Sequence, residues 1–272
     1  DLMGRYEAFS SLTGYASDVL VNITVMLLII IGGIGFLVWD DILKCRLSFK
    51  NYSLHSKIVL VTTPVLLVGG AIGYFVFEQN YTLQGNGIGE QILKSFFAST
   101  TMRTAGFNTI DYASMSPSAS LLSDVLMMIG GSPGSTAGGM KITTIALVFL
   151  SMVSMLRGQS DTIIGKRRVS TILIKQAAVI ILVYAVYILA GTMLICHIEG
   201  LPMSNVLFEV ISAVCTVGVT TGITPHLCAL SHIILIILMY GGRIGGFTLM
   251  LILGKQNKQP PLRRPKENIL IG

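Results

Sequence analysis

Two short segments of this sequence carry residue types that can strip water from a small cation without using a charged side chain. Thr104-Ala105-Gly106-Phe107 and Thr216-Val217-Gly218-Val219 align without gaps when the chain is laid over itself, and Phe96 then falls on Phe208. In each, an apolar, helix-like run ends in Thr, a small or β-branched residue, and Gly. Glycine reaches backbone angles that turn a carbonyl toward a common axis. A ring of such carbonyls can replace the hydration shell of a monovalent cation. One Thr-x-Gly is a weak signal, because small residues also serve helix packing in membranes. Its repetition between apolar segments favours carbonyl coordination by residues 104–107 and 216–219.

A glycine pair follows each segment, Gly130-Gly131 after the first and Gly241-Gly242 after the second, and Gly32-Gly33 stands in the corresponding place further upstream. The run Gly130-Gly131-Ser132-Pro133-Gly134-Ser135-Thr136-Ala137-Gly138-Gly139 cannot sustain a helix, since Gly costs about 1 kcal/mol and Pro about 3 relative to Ala. It is too long for a kink, so an unwound loop is expected beneath the carbonyl segments, able to obstruct or admit ions. Lys141 closes that loop, either helping to gate it or snorkelling to the interface. Arg243 interrupts an apolar stretch, and an intramembrane charge costs about 2.5–3.5 kcal/mol on insertion scales. No acid lies in the nearby sequence, so Arg243 is expected to face the loop carbonyls. Arg103 is expected to buttress the first segment through hydrogen bonds, and Glu90 and Glu209 to be surface or structural groups.

Other chemistries fit less well. No Gly-Lys-Ser/Thr accompanies the glycine-rich loop, which removes a nucleotide-binding reading. Gly131-Ser132-Pro133-Gly134 suggests a serine nucleophile only faintly, with no histidine on a facing helix. Cys45, Cys196, Cys215 and Cys228 have no metal-ligand spacing.

The elements that must position these residues are membrane helices. The 272 residues are 52% hydrophobic and 12% charged, about half the charge of a soluble domain. Apolar stretches lie at 18–39, 57–77, 120–156, 173–197 and 228–254, the third interrupted by the glycine-rich run. Most of the 19 Lys and Arg residues fall in 40–57, 157–175 and 255–272. Those segments are therefore expected in the cytoplasm, and the net charge of +6 needs no nucleic acid to explain it. Parity then requires 90–109 and 203–222 to enter and leave the bilayer on its outer side. Such re-entrant backbone survives only inside protein or beside a water-filled cavity. The expected class is all-α integral membrane, with tandem helix–pore loop–helix units. The division is 1–56 (the last helix of a truncated unit and a cytoplasmic loop), 57–157, 158–254, and a cytoplasmic tail at 255–272.

Phe96-Phe-Ala-Ser-Thr-Thr-Met-Arg-Thr-Ala-Gly-Phe-Asn-Thr109 and Gly130–Lys141 resemble the third pore loop and the following broken helix of the Ktr/Trk/HKT potassium transporters. Residues 216–219 and Gly241-Gly-Arg-Ile-Gly-Gly-Phe-Thr248 resemble the fourth loop and its helix. The short cytoplasmic loops and the ending Glu267–Gly272 are most similar to the membrane component of the Ktr potassium uptake systems. The resemblance implies four repeats around one pore, of which this chain would hold the end of the second and all of the third and fourth. It also implies potassium uptake across the cell membrane, with sodium as a possible coupled or activating ion and no cofactor in this chain. The implied partners are the lipid bilayer, a second copy in a homodimer, and a cytoplasmic nucleotide-binding regulatory ring. A coupled secondary transporter with broken helices is the alternative. The scarcity of carboxylates in the loops favours a channel-like pore over that alternative.

Overall fold

The computed structural model describes residues 11–46, 48–159, 161–164 and 167–244. Their architecture is helical, apart from a two-stranded hairpin of β1 (Ile163–Ile164) and β2 (Arg167–Arg168) inside the basic segment expected as a loop. The helix starts follow capping chemistry: Asp18, Ser53, Ser116 and Ser170 each accept a backbone N–H from the first turn they precede.

Helices α3 (Leu54–Glu78) and α7 (Thr171–Glu199) have 25 and 29 residues. At about 1.5 Å per residue both exceed the ~30 Å hydrocarbon core. Their apolar composition suits a membrane crossing. Their outward faces, such as Val65, Ile72, Leu182 and Met193, are exposed, as lipid-facing side chains must be.

The first apolar stretch departs from the single crossing expected over 18–39. Helix α1 (Val19–Ile34) stops after 16 residues, and α2 (Phe36–Cys45) leaves it at 90°. Gly35 makes the corner with φ of 91°. A Cβ there would also come within 2.8 Å of the Pro133 carbonyl oxygen. The corner is therefore fitted to a distant segment as well as permitted by glycine. Beyond it, the Asp41 carboxylate accepts from the Ser53 and Ser56 hydroxyls at 2.6 and 2.5 Å, tying α2 to the start of α3.

Helices α4 (Ile88–Thr101) and α8 (Met203–Val214) are too short to span, at 14 and 12 residues. Hydrogen bonds draw the flanks of each one together. Glu90, at the start of α4, accepts from Ser17, while Asn108 beyond its end pairs with Ser11 and Leu12 just before α1. Around α8, the Cys228 N–H donates to Glu199, the last residue of α7. The third apolar stretch is broken as expected, into α5 (Pro117–Met128) and α6 (Ile142–Leu156). Helix α9 (Ala229–Ile244) closes the described part.

The core lies where the two helix–loop–helix segments meet, and Tyr74, Met102, Met127, Tyr184, Phe208 and Val214 are buried in it. Some of its polar atoms are paired across helices: the Tyr74 hydroxyl lies 2.6 Å from Ser123 Oγ, and Ser99 donates to the Leu67 carbonyl. Polar groups placed this deep need such partners. The tail at 255–272 and Gly245-Gly246 lie outside the described residues.

Candidate functional site

The site begins where α4 and α8 run out. Past α4, Thr104 and Gly106 have φ of 68° and 83°; past α8, Thr216 and Gly218 have φ of 54° and 94°. A β-branched residue with positive φ is an outlier costing of order 1–3 kcal/mol, kept only where the surroundings enforce it. Here it recurs at the two aligned threonines. The Thr104 and Thr216 hydroxyl oxygens are shielded from solvent and have no hydrogen-bond partner among the described residues.

Hydroxyl groups at the helix ends hold the loops from behind. Thr101 donates to the Phe107 carbonyl, and Ala105 N–H closes onto the Thr101 carbonyl at 3.0 Å. Ser212 donates to the Val219 carbonyl at 2.6 Å, and its oxygen accepts from Gly218 N–H. The Phe107 and Val219 carbonyls are thus turned toward the scaffold. The carbonyls of Thr104, Ala105, Gly106, Thr216, Val217 and Gly218 accept no hydrogen bond among the described residues. Of the eight residues expected to coordinate, these six keep free acceptors. The two loops also touch: a Cβ on Gly106 would lie 2.3 Å from the Val217 carbonyl oxygen and 3.4 Å from Gly218 Cα.

Sequence reasoning missed Thr101 and Ser212. The available signal was a hydroxyl residue near the end of each helix, a few positions before the glycine. Glu209 takes the structural of the two roles expected of it and is buried on α8. Its carboxylate accepts from the Thr221 N–H at 2.8 Å and from the Thr220 and Thr224 hydroxyls, fixing the chain beyond Gly218. Arg103 does not act as expected. It is buried, yet its Nε has no partner among the described residues, and the buttressing falls to the neutral hydroxyls of Thr101 and Ser212.

Beneath the loops lies the unwound run. Its neck is closed by Gly130 N–H to Met140 O at 2.9 Å and Ile142 N–H to Gly131 O at 3.0 Å. Its upper end presses on the second carbonyl loop, since a Cβ on Gly138 would lie 1.9 Å from Thr216 Oγ1. Its lower end fits the corner of the first helix pair. Ser132 N–H donates to Gly33 O at 3.0 Å, and Phe36 N–H donates to Gly134 O at 3.1 Å. The Gly32-Gly33 pair is thus a docking point for the loop. Two cations complete the set: Arg243 Nη1 donates to Thr136 O at 3.0 Å, and Lys141 Nζ to Ala137 O at 2.6 Å. Ser135 donates to Ser132 O, bending the run on itself. Below, a cavity of about 600 Å³ is lined by Pro133, Gly134, Gly139, Lys141, Tyr184 and Arg243.

Comparison with known proteins identifies the family and the fold. The family described as TrkH, cation transport protein, matches residues 7–262. The chain is 36% identical to the potassium/sodium uptake protein NtpJ of Enterococcus hirae, over all of this chain and 60% of that protein. It is 34% identical to the Ktr system potassium uptake protein B of Bacillus subtilis, over 96% of this chain and 59% of that protein. The crystal structure of the potassium transporter TrkH from Vibrio parahaemolyticus shares the fold with a TM-score of 0.72 at 18% identity, over 90% of this chain and 54% of that one. The chain thus spans about three-fifths of the length of the curated relatives it matches. With a family match over nearly all of its residues, the chain belongs to the TrkH family of cation transport proteins, which are membrane transporters and not enzymes.

Proposed function

We propose that this chain forms half or more of a potassium-conducting pathway for uptake across the cell membrane. The loops at 104–106 and 216–218 supply part of its selectivity filter, and the run 130–141 acts as a gate beneath them. One observation carries the reading. Two distant Thr-x-Gly loops meet in space with matched positive φ angles, and their threonine hydroxyls and carbonyls are unpaired among the described residues. Backbone oxygens on one axis suit a weakly hydrated monovalent cation. A coupled carrier built on side-chain carboxylates is less supported, because residues 104–107 and 216–219 carry no carboxylate and Glu209 beside them holds the chain beyond Gly218.

The rest of the pore would come from two further loops, giving four pseudo-equivalent repeats. Relatives are named for potassium and for potassium/sodium uptake, so sodium is the second ion to test, as a coupled or activating species. A homodimer seated on a cytoplasmic nucleotide-binding ring, with the C-terminus inside, completes the proposal. The test is uptake by potassium-starved cells expressing the complete protein with Gly106→Ser or Gly218→Ser. Loss of discrimination against sodium is expected, and unchanged selectivity in both variants would remove these glycines from the filter.

A further inference from the structure

A second pair of cavities lies away from the pore. One, of about 610 Å³, opens between α3 and α6 and is walled by Ile58, Val61, Val65, Ile145, Ala146 and Phe149. The other, of about 450 Å³, is lined by Lys50, Asn51, Tyr52 and Arg167. The two share Leu54, Lys57 and Ile164, so an apolar shaft and a basic mouth adjoin in one cleft. Among the described residues, no Asp or Glu lines either part. The neighbouring acids are engaged elsewhere, Asp161 with Arg168 and Asp41 with Ser53 and Ser56. Lys57 Nζ donates to Lys50 O at 2.7 Å, while the charged ends of Lys50 and Arg167 are exposed and unpaired among the described residues.

We infer that this cleft holds an anionic phospholipid, its phosphate at Lys50, Lys57 and Arg167 and an acyl chain in the shaft between α3 and α6. Charge complementarity selects this occupant. The mouth lies in segments that the Lys/Arg bias places in the cytoplasm, where basic residues meet the negative leaflet. A free anion has no use for the shaft, and an apolar peptide has none for three cations. The shaft also reaches the gate: Ile129 and Ile142, which flank the unwound run, are part of its wall. An occupant there packs against the neck that Gly130 and Met140 close. That coupling rests on the proposed gating role, whereas the binding does not.

The test uses the complete protein in detergent for native mass spectrometry, and in vesicles of phosphatidylcholine with or without one-fifth phosphatidylglycerol for flux. Wild type should retain phosphatidylglycerol in preference to phosphatidylcholine of matched chains. The double variant Lys50→Gln/Arg167→Gln should bind phosphatidylglycerol at least about tenfold more weakly, from roughly 1 kcal/mol per basic residue. Val61→Trp, filling the shaft from an exposed position, should weaken both lipids while keeping the elution profile of wild type. Millimolar inorganic phosphate should displace neither. Binding that ignores the double variant, displacement by phosphate alone, or a wild type without lipid preference would overturn the site. Lipid binding with this pattern in a protein that conducts no cation would leave the site standing and sink the conductance reading instead.

Discussion

After α4, a Cβ added to Gly106 would come within 2.3 Å of a carbonyl oxygen in the opposite loop; after α8, the same addition at Gly218 meets nothing nearer than Gly106 Cα at 3.8 Å. Both glycines have the same kind of backbone. At Gly106 the residue type is imposed by crowding and dihedral together, at Gly218 by the dihedral alone. The supports differ as well. Glu209 braces the second loop from outside and Gly138 presses on it from inside, whereas the corresponding place on α4 carries Phe97. Two loops with the same motif can therefore rest on unequal scaffolding, and they should fail in different ways.

The largest difference is expected from the glycines. Gly106→Ala should lower both selectivity and thermal stability, the latter by the 1–3 kcal/mol typical of overpacking. Gly218→Ala should lower selectivity with a smaller stability loss, near the ~1 kcal/mol of a strained dihedral. Competitive rubidium and sodium uptake, with unfolding temperature in detergent, measures both; equal stability losses would break the asymmetry.

Next is the brace. Glu209→Ala should destabilise the protein by about 2–3 kcal/mol, because several donors lose a charged acceptor, and should impair selectivity through the second loop alone. Glu209→Gln should recover part of both. The comparison fails if Phe97→Leu on the other helix disturbs selectivity as much as Glu209→Ala does.

Deleting residues 132–137 should raise flux several-fold while retaining ion preference, since it removes the obstruction and leaves the six free carbonyls in place. Arg243→Gln, which loosens one bond to Thr136, should raise flux less. A deletion that folds and conducts no better than wild type means that the run is not a gate.

The smallest effect is reserved for Asp41, outside both loops. The Ser53 hydroxyl, then that of Ser56, holds its carboxyl below the usual range. A depressed folded value contributes stability that is complete above the unfolded value of about 4 and is lost as pH falls through the folded one. Asp41→Asn should thus lower the unfolding temperature slightly at pH 7, and the gap should close in acid, with selectivity untouched.

The sequence made the all-α class, the interrupted third stretch and the two segments too short to span legible, because each follows from length, polarity and glycine content. Thr104, Gly106, Thr216 and Gly218 could be singled out because the motif is repeated. The corner at Gly35 could not. Its neighbours form one apolar run, and the group that occupies the space beside it is the carbonyl of Pro133, a long way off in sequence. The role of Thr101 and Ser212 was hidden for a related reason: one hydroxyl among many near a helix end carries no label until its acceptor is known. Arg103 misled because charge suggests polar contacts, whereas the fold encloses its Nε without any among the described residues.

The corner between α1 and α2 has a mechanical consequence. Gly33 O on one arm and Phe36 N–H on the other both grip the unwound run, at Ser132 and Gly134. Neither arm bonds to the carbonyls at 104–106 or 216–218. The elbow thus bears directly on the unwound run, and reaches the second carbonyl loop only through that run's Gly138, beside Thr216. The forearm α2 holds the run through the Phe36–Gly134 bond at its very start, so a rotation of α2 would strain that bond. Under the gating role proposed above, torque on the forearm would act on throughput by way of the unwound run.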